Sequence, residues 1–468
     1  MPRTLVLLLV TLLSTTAGES VWPQFRGPGG LGIGNGKPPV EFGPGKHERW
    51  HVALPPGHSS PCIWGQRLFL TALDQGKLIT LCIDRNDGRE LWRAAVPTER
   101  IEPTHRIASP ASPTPCTDGE RVYVYFGSYG LIAYDVTGKE VWKKPLPPPV
   151  VEFGTGTSPM LAGGLVVLVC DQDVGSYLLA VDAATGAERW RHDRAEFRRS
   201  FSSPFLWSHD GIEELVVAGS LSVRGYDLAD GRERWRSAGL ARVSNATPTA
   251  GDGQLIVSSW NVGGDDGARV TVPPVDEFLT ANDRDLDGTL GKAEFPAGPL
   301  RDRYSQIDVD KDNKVTRAEL EITRTMFAQA ENRLFALRPG GSGDITASHV
   351  AWKTNKHLPY ISSPLWYQGR VYAMQNGGLL SCYDAASGTV QYVAERVGAQ
   401  GDYYSSAVAA DGRIYIASQK GTVVVLAAGN ELKVLARNQM EGQVFATPAI
   451  VDGIIYVRTE QGLWAFGE

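Results

Sequence analysis

One segment keeps returning along this chain. LCIDRNDGRELWRAAV at residues 81–96 recurs as IAYDVTGKEVWKKPL at 132–146, LAVDAATGAERWRHD at 179–193 and RGYDLADGRERWRSA at 224–238. It comes back in decayed form as SCYDAASGTVQYVAE at 381–395. Every copy is a strand ending in Asp, a turn containing Gly, and a second strand carrying Trp or Tyr, which is the pattern of a hairpin. A second unit precedes the hairpin. It opens with Ser or Thr followed by Pro, at Ser60, Thr114, Ser158, Ser203, Thr247, Ser363 and Thr447, and at Ser406 the Pro is replaced by Ala407. A Gly turn and an apolar strand such as RVYVYF or LVVLV follow. Each repeat therefore holds four strands in an up-and-down meander.

The aromatic marks fall at Trp50, Trp92, Trp142, Trp190, Trp235, Trp352 and Tyr392. Their spacing of roughly 40–50 residues is broken once, between Trp235 and Trp352, and that gap implies an insert. Four-stranded units of this length read as the blades of a propeller around a central channel. The openings count eight. The last unit, VFATPAIVDGIIYVRTEQGLWAFGE, runs out after three strands, whereas ERWHVAL around Trp50 is a fourth strand with no first three. The N-terminal strand is thus expected to complete the last blade and close the ring, which removes the exposed sheet edges. The predicted fold is all-β: an eight-bladed β-propeller of four-stranded antiparallel blades with a small α-helical insert.

The first residues, MPRTLVLLLVTLLSTTAGES, have a basic start, a short apolar run and small residues behind it. The run is too short to span a bilayer, so residues 1–17 are expected to be a secretory signal. No other segment is long enough to cross, and the mature chain is expected to be exported, to the periplasm or outside the cell. The expected organisation is 18–263 for the first part of the propeller, 264–331 for the insert, and 332–468 for the second part. A formal charge of −6 leaves no basic excess to neutralise phosphates, which argues against a nucleic-acid partner. The five cysteines are odd in number and dispersed, mostly within apolar strand-like runs, and read as small core residues.

The D-x-x-[TD]-G-x-[EV]-x-W turn and the blade count resemble the eight-bladed pyrroloquinoline-quinone-type propellers. That group includes quinoprotein alcohol dehydrogenases and a non-catalytic propeller that assists outer-membrane protein assembly. WPQFRGPGGLG at 22–32 is similar to the opening of a secreted bacterial subgroup of such propellers. The resemblance covers nearly all of the mature chain outside the insert, and it implies the fold without implying chemistry.

The insert contains ANDRDLDGTLGKAEF at 281–295, with Asp283, Asp285, Asp287, Gly288 and Glu294 at the ligand spacing of an EF-hand loop. Calcium takes six to eight hard oxygens, and a 12-residue loop gathers these carboxylates, with the Thr289 carbonyl, around one ion. A second loop, DVDKDNKVTRAE at 308–319, offers Asp308, Asp310, Asp312 and Glu319 with the carbonyl of Lys314. Asn313 stands where the turn Gly is expected, and Asn enters the left-handed region more readily than most residues. Leu290 and Val315 occupy position 8, where paired EF-hands join through a short β-bridge. Calcium is therefore the expected ligand.

The insert falls between the second and third strands of the fifth blade. In a meander that connection leaves on the same face as the blade-to-blade connections, so the insert is expected to overhang the central funnel. Those connections carry basic and aromatic residues, of which Arg106, Arg199, His357, Tyr360 and Tyr403 are the candidate ligand contacts. Two descriptions fit them: a pocket for a small anionic ligand or a protein partner, or solvated loops around a crowded axis. The quinoprotein resemblance implies pyrroloquinoline quinone, an adjacent Cys pair over it and an Asp base. This chain has no Cys-Cys, and its acidic loops lie in the insert. The reading that follows is a calcium-binding interaction scaffold, with a quinone-dependent alcohol or sugar dehydrogenase as the alternative.

Overall fold

The structure is a computed structural model, and it describes residues 20–265, 267 and 269–468; the expected signal segment at 1–17 lies outside the described residues. Eight antiparallel four-stranded sheets form a ring, two of them extended by an extra short strand. The first blade runs through Cys62–Trp64, Arg67–Asp74, Lys77–Asp84 and Glu90–Ala95. In each blade the second and third strands are buried along nearly their whole length, because a neighbouring blade covers either face. The fourth strand lies at the rim and alternates: Glu140–Pro145 buries Trp142 while Glu140, Val141 and Lys143 face solvent.

Closure happens as expected. Glu48–Ala53 pairs with Gly462–Phe466, Trp50 opposite Ala465, and supplies the missing fourth strand of the last blade. Apolar clusters sit between neighbouring blades. One joins Phe69, Leu78 and Cys82 of the first blade to Val122, Val124 and Ile132 of the second. All five cysteines are free and buried.

The recurring Asp–Gly–Trp pattern has a physical reason that spans blades. The Trp92 indole donates to the carbonyl of Val136 in the next blade's turn at 3.0 Å, and Trp142 donates to Ala183 at 2.9 Å. Trp50, Trp190 and Trp352 do the same with Arg85, Leu228 and Ala385. The turn glycine then lies flat against the ring: a Cβ at Gly138, where φ is +91°, would stand 2.6 Å from Trp92. Only glycine fits that turn, both for its φ and for the approach of the indole. A β-bulge where the fourth strand meets the third recurs in every blade and re-aims the aromatic residue towards its neighbour. Trp235 departs from the pattern. It bonds Glu214 of its own blade, since the fifth blade has no such turn to receive it.

Residues 21–34 cross the end of the channel opposite the insert, and the chain then runs outward between the seventh and eighth blades, where Asn438 bonds Phe42 and Val40. Val21–Trp22 adds to the first blade, Arg26 donates to the carbonyl of Pro364 in the sixth at 2.8 Å, and Ile33 bridges Ala409 in the seventh. Trp22 and Arg26 are fully buried there. The WPQFRGPGGLG segment is thus a plug for the ring.

Candidate functional site

The Ser/Thr that opens each repeat lines the channel, and the eight hydroxyls close a circle. The backbone N–H of Ser60 donates to Thr114 Oγ1 at 2.9 Å, and that of Thr114 to Ser158 Oγ at 3.0 Å. Ser158 continues to Ser203, Ser203 to Thr247, and Thr247 to Ser363. Ser363 passes to Ser406, Ser406 to Thr447, and Thr447 returns to Ser60 at 3.0 Å. This explains the residue choice: each first strand begins beside the axis with a buried N–H just ahead of it, and the next blade's hydroxyl is the acceptor within reach.

Above this circle is a funnel of about 200 Å³, floored by Phe25 of the plug. Its walls are the eight Ser/Thr and a collar of rings. His58 stacks on Phe445 at 4.1 Å between centroids, and Phe445 stacks on Tyr404 at 5.6 Å. Phe153 packs on His105 and Phe201 on the other side. Burial, and then the charge of Arg458, push the His58 imidazole down to about 4, so it is neutral at pH 7. Among the described residues, no Asp, Glu, Lys or Arg lines this funnel.

Of the residues predicted from sequence, Tyr360 lines both the funnel and a second cavity beside it. Arg199 lines only the second cavity, pinned by Asp173 at 2.6 Å and Glu152 at 3.0 Å. Tyr403 points away from the axis into a blade core, where its hydroxyl donates to the Ala399 carbonyl; its neighbour Tyr404 faces the funnel. Arg106 and His357 are exposed and line neither cavity. The expected mixture of basic and aromatic groups is thus separated, with aromatic residues on the axis and arginines to one side.

The insert leaves the fifth blade after Gln254–Ser259 and returns at Arg333–Leu337. Its described residues hold four helices, α1 (Val275–Asn282), α2 (Pro299–Asp302), α3 (Tyr304–Ile307) and α4 (Arg317–Gln329). They enclose a core of their own around Phe278, Phe295, Tyr304 and Leu320. Thr316 caps α4 with Glu319 in a reciprocal capping box. Its position agrees with the meander argument: Phe327 of α4 lies under the Arg242 guanidinium at 4.2 Å, on a blade-to-blade connection at the funnel face.

The two acidic loops have the same backbone shape. Leu286 and Gly288 in the first, and Lys311 and Asn313 in the second, have positive φ at matching positions. Leu290 and Val315 exchange both backbone hydrogen bonds at 2.9 Å. One carboxylate oxygen from each of Asp283, Asp285 and Asp287 lies within 4.8 Å of the others, and the same holds for Asp308, Asp310 and Asp312. Gly288 N–H donates to Asp283 and Asn313 N–H to Asp308, leaving Oδ1 of each aspartate buried with no partner. Glu294 accepts from the N–H groups of Arg284 and Gly291, and Glu319 from those of Val309 and Thr316. The Lys314 ammonium reaches across to Asp287 at 2.7 Å, and with Thr289 it holds that carboxyl down to about 2.

Among the described residues no helix is long and apolar enough to cross a membrane. A stretch of the curated outer membrane protein assembly factor BamB of Alkalilimnicola ehrlichii is 27% identical to this chain over 155 residues. That stretch is 33% of this chain and 37% of that protein, so the match spans little more than a third of its length. The crystal structure of BamB from Moraxella catarrhalis superposes with a TM-score of 0.56 at 12% identity, over 89% of this chain and 100% of that one. The computationally designed Ika8 protein superposes with a TM-score of 0.54 at 11% identity, over 90% and 99%. At such identities the likeness is one of fold. A family model described as outer membrane protein assembly factor BamB matches residues 10–200, 75–262 and 303–467. Those matches take in well over half of the residues, and on them the chain belongs to the BamB family of propellers.

Proposed function

We propose that this chain is an exported interaction scaffold whose insert is a pair of EF-hands, each binding one calcium ion. The observation that carries the reading is the pair of like-shaped loops, each gathering three carboxylates and leaving an aspartate oxygen buried without a partner. An ion would be held by Asp283, Asp285, Asp287 and Glu294 with the Thr289 carbonyl. The second would be held by Asp308, Asp310, Asp312 and Glu319 with the Lys314 carbonyl. Glu294 and Glu319 now accept from backbone N–H groups and would turn to the metal; Lys314 would release Asp287.

The propeller would supply the docking surface for a protein partner or a small anionic ligand at the funnel face. Membership in a family named for outer-membrane protein assembly supports a scaffold and an exported location. The funnel itself does not fit a quinone dehydrogenase: among the described residues its lining includes no carboxylate to act as a base and no cysteine pair. The test is dye reduction by the purified protein with added quinone and an alcohol or sugar, run beside its calcium content. The scaffold reading expects bound calcium and no turnover; saturable, quinone-dependent turnover would overturn it.

A further inference from the structure

Beside the funnel, where the insert meets the ring, lies a second cavity of about 230 Å³. Arginines reach it from three separate segments. Arg198 sits on the connection between the third and fourth blades, Arg242 on that between the fourth and fifth, and Arg303 between α2 and α3 of the insert. Among the described residues, none of these three has a carboxylate within ion-pair distance, and no Asp or Glu lines the cavity. Arg199 beside them shows the ordinary solution, since its guanidinium is neutralised by Asp173 and Glu152. Elsewhere in the same blades, buried Arg194 is likewise matched to Asp171 at 2.7 Å.

Three like charges converging on one partly buried space raise the energy of the folded state unless something of opposite charge enters. Burial, followed by the charges of Arg303 and Arg199, pushes the Arg242 guanidinium down to about 10, whereas Arg198, lowered chiefly by burial, also feels the charges of Asp173 and Glu319. Four rings, those of Phe153, Phe201, Phe327 and Tyr360, share the remaining walls with the amides of Asn245, Asn261 and Gln306. Guanidinium forks suit carboxylate and phosphate oxygens, and the rings suit a planar body. We infer that this cleft binds a small aromatic dianion, its carboxylate or phosphate oxygens on Arg198, Arg242 and Arg303 and its ring among the phenylalanines. The site goes beyond the calcium reading and does not depend on it.

The experiment is titration of the full-length protein, by calorimetry and by tryptophan emission, with phthalate, phenyl phosphate, succinate and inorganic phosphate. Trp260 packs edge-on against Tyr360 at 5.5 Å and should report occupancy. One saturable site is expected for phthalate or phenyl phosphate, and whichever binds tighter identifies the oxyanion. Succinate and inorganic phosphate, which lack the ring, should bind more weakly. Arg242→Gln and Arg303→Gln should each weaken binding by roughly tenfold or more, the scale of a lost charge-assisted hydrogen bond. Arg106→Gln, exposed and outside the cleft, should change nothing. If Arg242→Gln loosens the insert by losing Phe327, Arg303→Gln still decides, because among the described residues Arg303 bonds only the Pro299 carbonyl of its own helical turn. Absence of saturable binding by either aromatic probe at low salt, or undiminished binding in Arg303→Gln, overturns the site. Calcium titration of the same samples keeps that failure separate from any failure of the loops.

Discussion

Replacing Thr247 by Val keeps the side chain's shape and removes one acceptor from the hydroxyl circle. The N–H of Ser203 then loses its partner, 3.1 Å away, while the Thr247 N–H keeps its bond to Ser363 at 3.0 Å. Both Ser203 and Thr247 are 5% exposed, so a buried donor is orphaned rather than handed to bulk water. Such a loss costs about 1–3 kcal/mol, which speeds exchange of that amide by roughly 5- to 150-fold where opening is local. A control is Thr346→Val. Its hydroxyl accepts from the Ala238 N–H at 2.9 Å, an almost identical bond, but at an exposed position where water can replace it. Hydrogen exchange followed by mass spectrometry on peptides spanning 201–204 and 236–239 makes the comparison, with urea denaturation alongside. Equal effects of the two substitutions, or unchanged protection at Ser203, would refute the claim that the circle holds the blades at the axis.

Two further outcomes follow from the packing. Gly138→Ala places a Cβ 2.6 Å from the Trp92 ring at a φ of +91°, and should destabilise by about 2–4 kcal/mol, visible as a lower denaturation midpoint; an unchanged midpoint would contradict the docking of Trp92 on that turn. His58, held down to about 4 by burial and Arg458, stays neutral in the folded chain while the unfolded chain protonates near its ordinary 6.5. Stability should therefore fall as pH drops from about 6.5 to about 4, and His58→Phe should fall less across that window in thermal melts. Glu102, whose carboxyl burial pushes up to about 7, acts with the opposite sign, and the difference between variant and parent cancels it.

The propeller was legible because its signals are local. The turn after each Asp, the Gly within it and the following Trp belong to one hairpin, and repetition supplied the count. The partnerships that explain those residues were not legible, because they run between blades. Trp92 meets Gly138, and Ser60 meets Thr114, across sequence separations that no hairpin pattern contains. The closing strand was readable as an arithmetic deficit, whereas the plug was not: nothing in WPQFRGPGGLG shows that Phe25 will floor the funnel. At the funnel the side-chain directions decided the outcome. Tyr403 and Tyr404 are adjacent, and the loop turns one into the core and the other to the axis. His357, at a φ of +55°, is carried outward. In the insert the backbone reading held at Asn313, which adopts positive φ where a Gly is usual. The reach of Lys314 into the other loop had no signal in the spacing.

Whether the insert is a pair of calcium sites is decided by calcium titration of the protein, with helix content followed by circular dichroism. Two ions per chain are expected, with dissociation constants of roughly 10⁻⁴ to 10⁻³ M as in exported modules, and a gain of helical signal or protease resistance in the insert. Glu294→Gln with Glu319→Gln should abolish both responses and leave the β-sheet spectrum and the melting of the ring unchanged. Binding of no calcium at millimolar concentration, or calcium uptake undiminished in the double variant, would contradict the calcium reading.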